Sequence, residues 1–509
     1  MKIVIQIIIL LTLTQSCKLQ EQDFDVKYEN FKINIPGSPG PWLKYNGKFY
    51  CYFDTDNDKF SSRSTQHFYI LDENGKTEAK IAVPEKLQTS YYDLYLKNDT
   101  IFTTEYYEQN TFYLKNNKWI ETKKAIDLFY DDDNYNVYSL NFGEWGGVTW
   151  FKDKKTNKQF EFSASSPIVN KLENIYFVTL GNKILKIANP QKMELSKEPY
   201  DYKKAVLTEN YFREGSKSLK GAEIIYEYKN DDYFNPKFSF ATSFISNDKL
   251  YHIYKDSITT KIGIIENKKL VDVFNFNTDI IPYQWNYDWR NQIQKNKYQT
   301  IQFSTKKKNE YGILEINENN ILVTTFKNSF KETELGEAKM KQWFENHFEY
   351  YFSNFDKILL KEIDSIEQKI NAIDLTQSHK ISHYLLDKKD IQTPRIYRKI
   401  ENSTLKLNTS YYYTTKEKSI ELIEFEWSEN KPRYENIEDA IADSKNENKS
   451  ELIYKSKFNW ISNYISNKFG KPYNDKQSNK NGIQEWKIEN KLVKLVFNEN
   501  LVELTMYKK

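Results

Sequence analysis

The chain has 509 residues and carries 74 Lys+Arg against 71 Asp+Glu, a net charge of +3. That balance excludes the dense basic footprint of a dedicated nucleic-acid binder, so no nucleic-acid partner is expected. Aromatic residues make up 16% of the chain, led by 39 Tyr and 32 Phe, which excludes an intrinsically disordered chain.

Residues 1–17 read MKIVIQIIILLTLTQSC. Lys2 precedes an apolar run from Ile3 to Leu13, and Thr14-Gln15-Ser16 lead to Cys17. The run suits the hydrophobic region of a signal peptide and falls short of the ~20 residues that span a bilayer as a helix. The segment resembles a bacterial lipoprotein signal, with Ser16 before the cysteine that becomes the acylated first residue and Thr14 where Leu is usual. The resemblance implies a signal peptide over 1–16, a lipidated (palmitate-type) Cys17, and a tether over 17–27. It also implies a partner, the lipid bilayer, and an address: the bacterial cell envelope, with the outer membrane favoured. An ordinary cleaved signal with an incidental Cys17 is the alternative. Cys51 is the only other cysteine, so lipidation of Cys17 leaves no intramolecular disulfide. In KFYCYFDT, Cys51 is expected to be a small buried hydrophobe.

Residues 28–330 alternate with period two, punctuated by Asn, Asp, Gly and Lys, which is the strand-and-hairpin signature. Turn signals include Asn74-Gly75, Asn116-Asn117, Gly181-Asn182 and Glu266-Asn267. Units fall near 37–87, 88–127, 128–165, 166–235, 236–280 and 281–330. About four strands every 40–50 residues is what a propeller blade requires. The region resembles β-propellers in general, with no family signature, and six blades is the expected count. Five or seven blades, a sandwich or two β-domains remain alternatives. YENFKINI (28–35) is the candidate strand to close the ring.

Residues 331–509 change period. Phe352, Phe355, Leu359, Ile363, Ile366, Ile370 and Ile373 follow spacings of three and four, marking one face of a helix or helix pair. Strands follow at 395–402, 404–415 and 418–427. A helix from Ser450 ends at Gly470 before Pro472, and strands at 482–488, 491–497 and 501–507 close the chain. The fold class expected is mainly β, a six-bladed propeller followed by a two-layer α+β domain.

Chemistry-bearing motifs are sparse. His379 and His383 lack the Glu of a metalloprotease helix, and Asp54, Asp56 and Asp58 lack the Gly and Glu of a calcium loop, so no metal and no cofactor is expected. PYQWNYDWR, if extended, sets Trp285, Tyr287 and Trp289 on one face. FGEWGGVTW offers Trp145, Trp150 and Glu144 around a glycine pair that permits close backbone approach. Such rings stack on sugars or peptides, and alternatively fill the spaces between blades. The function expected is a non-catalytic, membrane-anchored module that binds a protein or glycan. A carbohydrate-active hydrolase or lyase using funnel carboxylates, or an envelope assembly scaffold, are the alternatives.

Overall fold

Hairpin turns show how the strands are joined. At Asn46-Gly47, Asn98-Asp99, Asn116-Asn117, Asn247-Asp248 and Asn267-Lys268, both central residues have φ between 46° and 74°. Positive φ at both positions is the type I′ turn, whose twist matches the strands it connects. The computed structural model describes residues 24–55, 65–87, 92–105, 110–123, 128–201, 203–204, 213–231, 236–282, 298–307, 309–355, 357–376, 390–391, 394–430, 448–478 and 480–508.

Six sheets form the blades of a β-propeller. Blade 1 pairs Ser38–Tyr45, Lys48–Asp54, Gln66–Leu71 and Thr77–Ile81; blade 2 pairs Tyr92–Lys97, Thr100–Glu105, Thr111–Lys115 and Lys118–Thr122. Blade 3 runs Tyr130–Asp131, Tyr135–Asn141, Gly147–Asp153, Gln159–Phe162 and Glu194–Leu195. Blade 4 runs Ile168–Leu172, Ile175–Thr179, Lys183–Ile187 and Glu223–Glu227. Blade 5 runs Ser239–Ser246, Lys249–Lys255, Thr260–Glu266 and Lys269–Asn275. Blade 6 holds Ile281–Pro282, Tyr298–Ser304, Glu310–Asn317 and Asn320–Asn328, with Asp25–Ile33 added from the other end of the chain.

That added strand closes the ring, as its alternation suggested, and it does so in parallel, from Asp25 opposite Asn320 to Ile33 opposite Asn328. No hairpin links the two strands, so the antiparallel direction is not imposed. Phe31 packs on Phe326 at 5.7 Å between ring centroids. The Asn328 side chain then locks the register, accepting from Ile35 N at 3.2 Å and donating to Ile35 O at 2.7 Å.

Blades bury their apolar faces against each other. Phe68, Leu94 and Ile101 pack between blades 1 and 2, and Phe151, Phe162, Tyr176 and Val178 between blades 3 and 4. Phe238, Phe240 and Ile184 lie between blades 4 and 5, with Ile253, Ile301 and Leu314 between 5 and 6. Trp42, Phe49 and Phe326 join 6 to 1. Cys51 sits in this last layer, fully buried, with its thiol pushed well up by desolvation, the environment expected of it.

The C-terminal part is an eight-stranded sheet ordered Ile373–Asp374, Arg395–Ile400, Leu405–Tyr413, Ile420–Glu429, Leu501–Lys508, Lys491–Phe497, Gly482–Ile488 and Asn474–Gln477. Helices α1 (Glu337–Asn354), α2 (Leu360–Lys369) and α3 (Asn448–Phe469) contribute Phe344, Phe348, Ile363, Phe458 and Ile461 to one core with Phe425, Trp427 and Leu504. The apolar stripe read from Phe352 to Ile373 divides between α1, α2 and the first strand of this sheet. The chain leaves the helix after Asn354, whose carbonyl accepts from both Lys357 N and Ile358 N. Gly470 ends α3 at φ 90°, its N–H donating to Ser466 O at 2.9 Å.

The two parts share a joint. Leu335 N and Gly336 N donate to Ile400 O and Glu401 O, and Phe330 packs with Ile373, Leu375 and Ile396. Thr55 Oγ1 of blade 1 donates to Asp374 O at 2.7 Å.

Candidate functional site

Of the singled-out aromatic residues, Trp145 and Trp150 lie in described structure. Cys17, Trp285, Tyr287 and Trp289 lie outside the described residues, as do Asp56, Asp58, His379 and His383.

Trp145 and Trp150 belong to one segment of blade 3 but have opposite environments. Trp150 is on Gly147–Asp153, opposite Tyr138 on one neighbouring strand and Glu161 on the other. It is fully buried. Its indole N–H donates to Ser196 Oγ at 3.1 Å and lies 3.2 Å from Glu198 O. Ser196 Oγ in turn donates to Glu161 Oε2 at 2.6 Å.

Arg213 completes this cluster. Its guanidinium donates to both Glu161 oxygens, at 3.4 and 3.3 Å, and to Glu198 O at 2.9 Å, and lies 5.5 Å from the Trp150 ring centroid. A planar cation stacked on an indole and forked onto a carboxylate is a strong, directional pairing. Tyr200 stacks on Tyr138 at 4.4 Å and meets Trp150 at 5.6 Å. Both faces of this layer are thus occupied by the chain's own groups, which makes Trp150 the anchor of the excursion that leaves blade 4 after Ile187, pairs with blade 3 and rejoins blade 4 at Glu223. Sequence reasoning missed Glu161 and Arg213 because their positions differ by 52 residues.

Trp145 is 55% exposed. It sits in a short 3₁₀ turn, Gly143–Trp145, whose Gly146 has φ 88°. The turn is pinned from within by Phe142 N to Gly146 O and Gly146 N to Gly143 O, and from outside by Gly215 N to Trp145 O at 3.0 Å and Ser216 N to Gly147 O at 3.2 Å. A Cβ on Gly215 would lie 2.6 Å from Gly147 N and 2.7 Å from Gly146 C. The glycine pair therefore does admit a backbone, and the backbone admitted is the protein's own segment at Gly215. The result is a large ring presented outward from a rigid loop.

At the ring's centre, side-chain amides stitch neighbouring blades. Asn170 Nδ2 of blade 4 donates to Ser243 Oγ of blade 5 at 2.8 Å. Gln299 of blade 6 accepts from Thr242 Oγ1 at 2.9 Å and donates to Ser243 O at 3.1 Å. Gln302 Nε2 donates to Gly40 O of blade 1 at 2.8 Å. The seam between blades 6 and 1 also carries a charged contact, Lys44 Nζ to Glu315 Oε2 at 2.6 Å. The Asp131-Asp132-Asp133 turn also ties blades together: Asp132 Oδ2 accepts from Lys171 Nζ at 2.8 Å and Tyr176 OH at 2.7 Å. Burial opposes the Asp132 charge, but these bonds and the Tyr135 and Asn134 N–H groups outweigh it and lower the carboxyl below its usual range.

Among the described residues, no three His, Cys, Asp or Glu side chains gather where a metal could sit, and no helix is long and apolar enough to cross a membrane. In the C-terminal part, burial raises the carboxyl of Glu401, which receives Lys457 Nζ at 2.6 Å; this pair is internal to the helix–sheet layer.

No protein-family model matches the chain, and no curated protein sequence does. Among solved structures, the chain is similar to TolB from Acinetobacter baumannii at 10% identity and a TM-score of 0.27, covering 55% of this chain and 66% of that one. It is similar to an exo-β-1,3-galactanase from Phanerochaete chrysosporium at 7% identity and a TM-score of 0.22, covering 58% and 90%. The β-propeller domain of the Trilobed protease from Pyrococcus furiosus matches at 10% identity and a TM-score of 0.22, covering 56% and 94%.

Proposed function

We propose that this chain is a cell-envelope lipoprotein, acylated at Cys17 after removal of residues 1–16, that binds a protein or glycan without catalysis. The observation that carries the address is the order of the chain at its start: an apolar leader, Ser16-Cys17, and a blade strand beginning at Asp25. Phe24 is seven residues beyond Cys17, a reach of at most about 25 Å at ~3.5 Å per residue. The lipid would therefore hold the ring-closing seam close to the bilayer surface. One acyl chain binds only marginally, and two or more anchor stably.

Binding is supported by Trp145, a large ring held outward by backbone clamps on both sides. A rigid aromatic platform loses little conformational entropy on capture, which suits recognition of sugar or peptide faces. Trp285, Tyr287 and Trp289 would add to the same kind of contact.

Metabolic labelling with a palmitate analogue tests the anchor. The wild type should be tagged and Cys17→Ser should not; equal labelling of both would refute acylation at this position.

A further inference from the structure

We infer that the groove beside the ring-closing strand is a subsite for one or two neutral sugar units. This rests on the glycan half of the proposed function and gives it a location. The groove has a volume of ≈ 400 Å³ and is lined by Phe24, Asp25, Val26, Tyr28, Phe274, Asn277 and Asn319. It lies where Asp25–Ile33 passes the outer strand of blade 5 and the hairpin that opens the last strand of blade 6.

The walls are firmly built. Phe24 is buried, edge-on to Tyr251 at 4.8 Å and to Phe244 at 5.9 Å. Asp25 N donates to Asn319 O at 2.9 Å, which fixes the closing strand against the hairpin. Tyr28, 38% exposed, brings its hydroxyl to 3.5 Å from Asn277 N. The space is therefore a fixed feature of ring closure, preformed as small-ligand sites usually are.

The lining selects among ligand classes. Tyr28 is exposed and Phe274 half-buried with Phe276 edge-on to it at 5.2 Å, and rings of this kind stack on the C–H face of a sugar. Asn277 offers both a donor and an acceptor, Asn319 a donor beside an Oδ1 that already receives Asn320 Nδ2 at 3.2 Å, and Asp25 two acceptors, a set that can read vicinal hydroxyls. An apolar ligand would gain nothing from these polar groups, which are water-accessible, Asp25 and Asn277 being exposed and Asn319 half-buried. A cationic ligand would have to compete with Lys27, whose ammonium already lies 3.4 Å from the Asp25 carboxylate. With that charge balanced, a neutral polyhydroxyl ligand fits best.

The test uses the full-length protein in detergent and saturation-transfer difference NMR with cellobiose, maltose, lactose and chitobiose. At least one sugar should receive saturation from the wild type. Its affinity should fall at least tenfold in Asn277→Ala and in Tyr28→Ala/Asn277→Ala, with unchanged circular dichroism. Asn277 is exposed beyond the end of the blade 5 strand, so its single substitution keeps the test valid should the double variant misfold. Wild-type binding that persists undiminished in Asn277→Ala would overturn the groove assignment and leave the glycan reading standing. No transfer to any of the four sugars would overturn both.

Discussion

His67 of blade 1 and Asp374 of the C-terminal sheet meet across the joint between the two parts: His67 Nε2 lies 3.2 Å from the Asp374 carbonyl oxygen and 3.0 Å from Thr55 Oγ1. Burial, with Lys80 and Arg395 nearby, lowers the imidazole to about 4, against the opposing pull of Asp374. The neutral ring is thus the form the fold accepts.

This sets a pH dependence with a definite sign. Because the folded pKa is depressed below 6.5, the contribution is complete above pH 6.5 and is lost as pH falls towards 4. At about 1.4 kcal/mol per pKa unit, the loss between pH 7.5 and 4.5 is on the order of 2.5 kcal/mol. His67→Gln, which keeps an N–H donor without titrating, should flatten this part of the urea-midpoint profile. Parallel profiles for variant and wild type would show that His67 does not titrate with unfolding. His252, lowered to about 3 by burial alone, acts in the same direction in both proteins.

Lys399 and Glu367 form an ion pair buried to within 1% of complete enclosure, both carboxylate oxygens 2.9 Å from the ammonium. Tyr411 OH also donates to Glu367 at 2.5 Å, and Lys399 lies 4.3 Å from the Trp343 centroid. Lys399→Met strands a buried carboxylate and should cost roughly 3–5 kcal/mol. Lys399→Met/Glu367→Gln should recover much of that in equilibrium unfolding. A double variant no better than the single would show that pairing is not what the lysine supplies.

Gln299 should matter more than its neutral chemistry suggests. It is buried and bonds blade 6 to blade 5 twice. Gln299→Ala removes one acceptor from Thr242 Oγ1 and one donor from Ser243 O, which keeps Asn170 Nδ2 at 3.3 Å, and should cost roughly 1–2 kcal/mol. A loss of unfolding free energy under about 0.5 kcal/mol would mean water replaces the amide.

Gly215→Ala should release the loop that presents Trp145. Its Cβ would meet backbone atoms of Gly146 and Gly147 at under 3.0 Å, and backbone cannot turn aside as a side chain can. Limited proteolysis should cut near 213–216 faster than in the wild type, while the blades stay resistant. An unchanged digestion pattern would count against the clamp.

Much of the fold was legible because its signals are local. Alternation marked the strands, Asn116-Asn117 marked a turn that adopts left-handed backbone while the Glu266-Asn267 signal lies one residue before the observed Asn267-Lys268 turn, and YENFKINI marked the closing strand. The helix–Gly470–Pro472 ending and the final meander read directly from caps and periodicity. Less legible was Glu194–Leu195, which returns to pair with Gln159–Phe162 although its place in the chain suggested the next blade. Trp145 and Trp150 looked alike in the sequence, since nothing within five residues shows that Arg213 and Tyr200 cover one and leave the other outward.

The amino-acid sequence by itself determined the repeating hairpins, the change of period after residue 330 and the apolar leader ending at Cys17, because backbone preference and hydrophobic alternation act over a few residues. Tertiary structure alone decided the parallel direction of ring closure, the burial of Trp150, the neutral His67 at the joint and the groove at Tyr28 and Asn277. Those depend on partners such as Asn328 and Ile35, 293 positions apart, whose meeting is set by the closing of the ring and has no trace in local pattern.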